Sequence, residues 1–167
     1  MHNGHRFSQR RSLCRSLVGV AALLVAASTL APRLAHAGPV FPGGTLVITK
    51  EPVDTGSADW EKQLKKTQVD TLTKVVDAWK VFLVAYLNKS AGADEVNLVF
   101  YDITAPKQRE QVNAFPVATK ANAKIIASSI DISPEQGFKA GNKYQVLVTR
   151  LIGGKEVIYA RTTLSLK

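Results

Sequence analysis

The sequence contains one cysteine, one methionine and three histidines, and all five lie within the first 36 residues. None of these residue types occurs between residue 37 and the C-terminus. That long stretch therefore has no side chains for a disulfide, a Cys or His zinc site, haem ligation, a Ser-His-Asp triad or a cysteine nucleophile. We predict a domain without metal or cofactor, stabilised by packing alone.

The first 37 residues predict a signal peptide. A basic head containing Arg10 and Arg11 precedes an apolar run at residues 17–30, and Ala35-His36-Ala37 is a small-x-small cleavage site. The apolar run is shorter than the roughly 20 residues that a membrane-spanning helix needs. We therefore expect a periplasmic or secreted protein without a transmembrane segment, exported by the Sec route or, given the arginine pair, by the twin-arginine route.

The remaining residues, 38–167, have the size of one domain. Residues 38–44 (GPVFPGG) predict an irregular tether, followed by a single domain at 45–167. This part carries 17 basic and 13 acidic residues, a net charge of +4. The charge is spread along the chain rather than concentrated in a basic stripe, so we predict no nucleic-acid partner. The densest basic stretch is interpreted as a solvated helix face and contains Lys62, Lys65 and Lys66.

Short β-branched and aromatic runs, separated by turn residues, indicate a mostly β fold. The pattern predicts a two-sheet antiparallel sandwich of about seven to eight strands. Apart from the segment around residues 67–78, the runs lie at 45–50, 79–88, 95–103, 111–117, 123–132 and in a C-terminal hairpin.

One short helix is expected near residues 57–66, with Ser57 as its cap and with Trp60 and Leu64 on one face. Residues 67–78 are ambiguous. Their period-two β-branched series favours a strand over 67–75 followed by a turn at Asp77 and Ala78, whereas their apolar spacing also fits a longer helix.

The C-terminal hairpin has two possible registers around Gly153-Gly154. A two-residue loop pairs Val146 with Arg161 and so places a charge in the core. A three-residue loop, residues 153–155, pairs Val148 with Ala160 and is favoured. This register sends Val146, Val148, Ile158, Ala160, Leu164 and Leu166 inward. It sends six residues outward as a candidate interface: Leu147, Thr149, Leu151, Val157, Tyr159 and Arg161.

The stretch Phe138 to Val148 (FKAGNKYQVLV) resembles the approach to the penultimate strand of immunoglobulin-like and fibronectin type III-like sandwiches. In those domains a turn glycine, here Gly141, and a corner tyrosine, here Tyr144, precede alternating core valines. The resemblance covers the C-terminal third of the chain. It implies an architecture and no activity.

These observations predict an exported, non-catalytic binding module whose partner is a protein or a glycan. A structural subunit of an envelope complex, with the outward hairpin face as its interface, is an alternative. That face is either such a contact surface or is covered by the helix containing Trp60. A carboxylate-based glycoside hydrolase is a further alternative, because that chemistry needs no histidine. Its candidate acids are Asp54, Asp59, Asp94, Glu95 and Asp102.

Overall fold

The structure, a computed structural model, describes residues 40–167. The expected signal peptide, residues 1–37, lies outside this range. The described part is mostly β, as the sequence predicts, and none of its helices is long and apolar enough to cross a membrane. Its elements are β1 (Thr45–Thr49), α1 (Trp60–Thr67), β2 (Gln68–Val69), β3 (Thr71–Leu72), β4 (Trp79–Tyr86), β5 (Glu95–Asp102), β6 (Glu110–Ala118), β7 (Ile125–Ile132), a 3-10 turn (Pro134–Gln136), β8 (Lys143–Ile152) and β9 (Lys155–Leu166).

The strands form one continuous hydrogen-bonded path in the order β6-β5-β8-β9-β1-β4-β7. Neighbours along this path are antiparallel, except that β1 is parallel to β9, where Thr45 pairs with Arg161. The short strands β2 and β3 add to β1 and β9, respectively. Where the sequence predicts two sheets, the strands therefore make a single, nearly closed curved sheet.

Alternate residues of the long strands point into one hydrophobic core. Trp79 of β4, Phe100 of β5 and Tyr144 of β8 are among its largest buried side chains. The two end strands contribute to the same core through Val117 of β6 and Ile132 of β7. The sheet curls because strands at opposite ends of the path bury their apolar faces together.

Helix α1 covers the outer face of β1 and β4. Leu64 is fully buried in a cluster with Val47 and Val84, and the Trp60 ring stacks on Tyr86 with their centroids 5.9 Å apart. Trp60 and Leu64 therefore share one face, as predicted. The helix begins later than expected, because Asp59 occupies its N-cap position.

The expected cap, Ser57, forms part of the turn that precedes α1. Its hydroxyl donates to the backbone oxygen of Asp54 at 3.0 Å, so it is not available to the helix terminus. Three lysines are exposed, in agreement with the solvated face that the sequence predicts: Lys62, Lys65 and Lys66.

The ambiguous segment is neither one strand nor a longer helix. Helix α1 ends at Thr67, and two two-residue strands, β2 and β3, follow it. The period-two series indicates β structure correctly, but the strand is divided because β2 pairs with β1 and β3 pairs with β9. The chain then turns at Val76 and Asp77, where the Val75 N–H donates to the Ala78 carbonyl at 2.9 Å. This turn comes one residue earlier than predicted.

Tyr144 forms the corner that the immunoglobulin-like resemblance implies. Its hydroxyl accepts a hydrogen bond from the Lys139 backbone N–H at 2.8 Å, and its ring packs on Phe138 with centroids 5.3 Å apart. A tyrosine that bonds backwards to the chain just before its own strand holds this corner in place.

Candidate binding surfaces

The core register of the β8–β9 hairpin is the predicted one, but the loop is different. Val148 pairs with Ala160, as expected, whereas Ile152 pairs with Lys155 and leaves a two-residue loop. Both loop glycines, Gly153 and Gly154, have positive φ, as a tight primed hairpin turn requires. The extra residue is taken up by a bulge opposite Val148 and Thr149 instead of by the loop.

This bulge changes which hairpin residues face solvent. Ile158, predicted to point inward, pairs with Thr149 and is 39% exposed. Tyr159, predicted to point outward, is the extra residue of the bulge and is buried in the main core. The structure also buries Leu147 and Thr149. Of the six candidate interface residues, only Leu151 and Arg161 are exposed, and Val157 is half-buried against the core.

The hairpin end is bent over the outer face of β5. Tyr101 pairs with Gln145, whereas Glu156 pairs with Leu151, which lies six residues farther along β8. Six strand residues span roughly 20 Å. The Tyr101 hydroxyl nevertheless donates to the Glu156 carboxylate at 3.3 Å. A bulge bends its strand in this way, and we attribute the burial of Leu147 to the bend.

The expectation that helix α1 covers the hairpin is wrong. The helix packs on β1 and β4, where the Tyr86 hydroxyl donates to the Glu61 carboxylate at 3.3 Å. Burial, followed by the negative charge of Glu61, raises the pKa of Tyr86. This contact fixes the helix on β1 and β4, and neither of these strands belongs to the β8–β9 hairpin.

A groove of about 540 Å³ lies beside the turn between β3 and β4. This volume is within the range of about 300–1,000 Å³ that is usual for ligand pockets. Its lining includes apolar side chains of β3, the turn and β4, together with two lysines and one aspartate. The lining residues are Lys50, Thr71, Leu72, Thr73, Val75, Ala78, Lys80, Phe82 and Asp131.

The turn at the rim of this groove is strained and apolar. Val76 has a φ of 58°, which lies in the left-handed region. Branching at Cβ makes that conformation an outlier for valine. Val75 and Val76 are also 69% and 85% exposed. Backbone strain tends to persist where surrounding structure enforces it, often at ligand clamps and switch regions. Two exposed valines on a strained turn mark this rim as the strongest candidate contact surface.

The charged side chains of the groove are not paired with one another. Lys80 of β4 lies opposite Asp131 of β7 in the strand register, but their side chains do not form an ion pair. Within residues 40–167, the one ion pair joins Lys62 to Asp59 on the helix. Lys50, Lys80 and Asp131 therefore surround an apolar floor with one net positive charge and are available to a ligand.

Asp54, Asp59 and Asp102, three of the candidate acids, are engaged in local contacts. Glu95 and Asp102 begin and end β5, which places them roughly 24 Å apart along the strand. The two carboxyl groups of a glycoside hydrolase lie within about 10 Å of each other. Asp54 accepts the Gly56 N–H at 2.9 Å, and Asp59 pairs with Lys62 at 2.9 Å. No group of three metal-ligating side chains occurs within the range that the structure describes.

Asp102 is held by its neighbours. Its carboxylate accepts the Thr104 N–H at 2.8 Å and the Asn142 side-chain amide at 2.6 Å. Burial alone would raise the pKa of Asp102, but the hydrogen bonds from Thr104 and Asn142 outweigh it and lower the pKa. These bonds connect the end of β5 to the start of β8, so Asp102 has a structural contact to explain its position.

Sequence reasoning missed the groove because residues from distant parts of the chain line it. Lys50 follows β1, Phe82 lies on β4 and Asp131 on β7. One local signal was present in the sequence, namely the pair Val75-Val76 immediately before an expected turn. Turns usually carry Gly, Asn, Asp, Ser or Pro, so two valines at such a place are unusual.

No protein-family model matches the chain, and no curated protein is detectably similar to it in sequence. Among solved structures, the chain is similar to a crystal structure of an immunoglobulin-like protein from Pseudomonas aeruginosa, at 14% sequence identity. The similarity covers 74% of this chain and 93% of that one, with a TM-score of 0.37.

Proposed function

We propose that this chain is an exported, non-catalytic binding domain of immunoglobulin-like architecture that engages a protein partner through the groove beside Val75 and Val76. The strand order supports the architecture. The continuous path consists of two antiparallel runs, β6-β5-β8-β9 and β1-β4-β7, which are joined by the single parallel pair between Thr45 of β1 and Arg161 of β9. The Tyr144 corner supports the same architecture.

The strained, exposed turn next to an apolar groove is the observation that carries the proposed binding function. An exposed valine pair would cost little in isolation, because single apolar residues are common on protein surfaces. Here the pair adjoins a cavity floored by Leu72 and Phe82 and edged by unpaired charges. Interfaces combine a desolvated apolar centre with a polar rim. The groove therefore fits an apolar side chain of a partner that also carries an acidic group.

Site-specific photo-crosslinking in the producing cell tests this assignment. A photoreactive residue at Val76 is expected to give one discrete protein adduct. A matched label at exposed Thr163 on β9 is expected to give none. Adduct formation that is equal at the two positions would contradict the groove as the contact surface. Val75→Ser should weaken the adduct, because Val75 lines the groove.

The end of the β8–β9 hairpin favours the second candidate function, a structural subunit of an envelope complex. Leu151 and Ile152 are exposed beside the Gly153-Gly154 loop, and Ile158 is exposed across from them. This apolar tip differs from the flat outward face that the sequence predicts, because it excludes the buried Tyr159. A photoreactive label at Leu151 that forms an adduct, while one at Val76 does not, would favour the subunit function.

Export has its own test. The sequence predicts cleavage after Ala37, so protein recovered from the periplasm or the medium should begin at Gly38. Mass spectrometry of the intact protein measures this directly. A chain that retains Met1 and stays in the cytosol would contradict export while leaving the groove assignment untouched.

A further inference from the structure

Strand β7 has one unpaired edge. It ends the sheet path and pairs only with β4. Backbone groups of residues 125–132 make no other backbone hydrogen bond within the described part of the chain. Because backbone groups of a strand alternate between its two sides, about half of the β7 N–H and C=O groups face the open edge. An eight-residue strand with one open edge is a template for pairing with another chain.

The β7 edge lacks the features that usually prevent such pairing. Its sequence, IIASSIDI, has no proline, lysine or arginine, and its one charge, Asp131, lies near the end. Proteins commonly protect open edges with prolines or charged side chains. The other end strand, β6, has Pro116 within it and Glu110 at its start. The two ends of the same sheet therefore differ, and only β7 is open to addition of a strand.

The sequence of β7 is complementary to itself in the antiparallel direction. About Ser128 as the centre, Ile126 and Ile130 are equidistant, and so are Ala127 and Ser129. Two antiparallel copies centred on Ser128 would place Ile126 opposite Ile130 on the core side, twice. They would place Ala127 opposite Ser129 on the exposed side, also twice. Small exposed side chains allow the two backbones to approach to the roughly 4.8 Å spacing of paired strands.

Burial and charge agree with this register. Ile130 is only partly buried against the core, so an isoleucine from a second strand would extend its apolar contacts. Asp131 lies three residues from the centre, so the two Asp131 side chains would be roughly 20 Å apart along the strands. Like charges therefore do not meet across the contact.

The geometry points to a homodimer in which two copies of this chain pair antiparallel along β7, with Ser128 at the two-fold axis. This dimer goes beyond the binding function proposed for the groove, and its centre lies three residues from Asp131. A contact made by one strand of each copy is small compared with the roughly 1,200 Å² of the smallest stable interfaces. The dimer is accordingly reversible and depends on concentration.

Sedimentation equilibrium of the full chain tests the dimer. The parent is expected to shift from monomer to dimer as its concentration rises. Ala127→Lys with Ser129→Lys places lysine opposite lysine and should weaken the dimer by roughly tenfold, since like charges directly opposite destabilise a strand pair. The matched control is Gln111→Lys with Thr163→Lys, at exposed positions of β6 and β9, which should leave association unchanged. All variants must melt within a few degrees of the parent, which their exposed positions favour.

A charge exchange sharpens the test. Mixing the double-lysine β7 variant with a variant carrying Ala127→Glu and Ser129→Glu should restore a mixed dimer, because each lysine then faces a glutamate. A parent that is monomeric at every concentration would overturn the proposal. A double-lysine β7 variant that dimerises as well as the parent would overturn it too.

Cysteine crosslinking tests the register. The variants are made in a chain with Cys14→Ser, so that the introduced thiol is the only one. Ser128→Cys lies opposite itself and is expected to form a disulfide dimer on mild oxidation. Ser129→Cys would face Ala127, which leaves its two copies roughly 8 Å apart, beyond the reach of a disulfide of about 7 Å between Cα atoms. Crosslinking at Ser129→Cys and not at Ser128→Cys would overturn this dimer.

Discussion

The backbone N–H of Lys139 donates to the hydroxyl of Tyr144 at 2.8 Å, five residues later in the chain. Tyr144→Phe removes the acceptor and should lower the free energy of unfolding by about 1–2 kcal/mol. Tyr159→Phe is the matched control. Its ring is also buried, and its hydroxyl makes no hydrogen bond to any of residues 40–167. Chemical denaturation should show a change within about 0.5 kcal/mol for the control. Equal effects would contradict a specific role for the Tyr144 corner.

The bulge in β9 predicts opposite outcomes for two aspartate substitutions. Val148→Asp buries an unpaired carboxylate in the core and should cost several kcal/mol, enough to unfold a marginally stable domain. Ile158→Asp should cost within about 1 kcal/mol, because the bulge turns this residue toward solvent. Circular dichroism melts measure both. If Ile158→Asp unfolds the domain as Val148→Asp does, Ile158 faces the core and the bulge is absent.

Relief of strain at Val76 should stabilise the protein. Val76→Gly removes a branched side chain from a left-handed backbone and should raise the free energy of unfolding by about 1 kcal/mol. The same change at Val75, which has no positive φ, should lower stability instead, because glycine gains more freedom in the unfolded chain. Thermal melts should move by a few degrees in opposite directions. A lower melting temperature for Val76→Gly would show that the turn is unstrained.

Asp102 should make part of the stability depend on pH. Its pKa in the folded state is lowered by hydrogen bonds from Thr104 and Asn142 that exceed the opposing effect of burial. A group whose pKa is lower in the folded than in the unfolded state stabilises the fold fully at pH values above the unfolded pKa. For Asp102 the ordinary pKa is 3.8. This stabilisation is lost as the pH falls through the folded pKa. The stability difference between the parent and Asp102→Asn should be constant near pH 7 and should shrink below about pH 4. A difference that grows on acidification would contradict this sign.

The strands of this domain are visible in its sequence because each is a local run of β-branched and aromatic residues. The corner at Tyr144 is visible for the same reason, since its glycine, tyrosine and valines are close together. The hairpin loop is a different matter. Asn88 donates its backbone N–H to the Tyr159 carbonyl at 3.1 Å and its side-chain amide to the Ile158 carbonyl at 3.3 Å. The position of the bulge thus depends on a residue some 70 positions away, which no local pattern reveals.

The candidate site was less predictable than the fold for a related reason. The alternation of residues along β8 and β9 predicts the candidate interface, but alternation assigns faces correctly only for straight strands. The bend that brings Glu156 to Tyr101 buries part of that face. The groove was not predicted at all, because Lys50, Phe82 and Asp131 meet only after β1, β4 and β7 have paired.

The parallel pairing of β1 with β9 also constrains when the domain can fold. Thr45 meets Arg161, so one edge of the first strand must wait for a partner that lies more than 100 residues farther along the chain. Contacts this far apart in sequence carry a large loop-closure entropy and slow the folding of β proteins. In a nascent chain β1 can pair with β4 as soon as that strand has formed, but the opposite edge of β1 stays unpaired until β9 is added. A chain stalled before β9 would leave this edge of β1 open to pairing with another chain, which exposes the unfinished domain to aggregation.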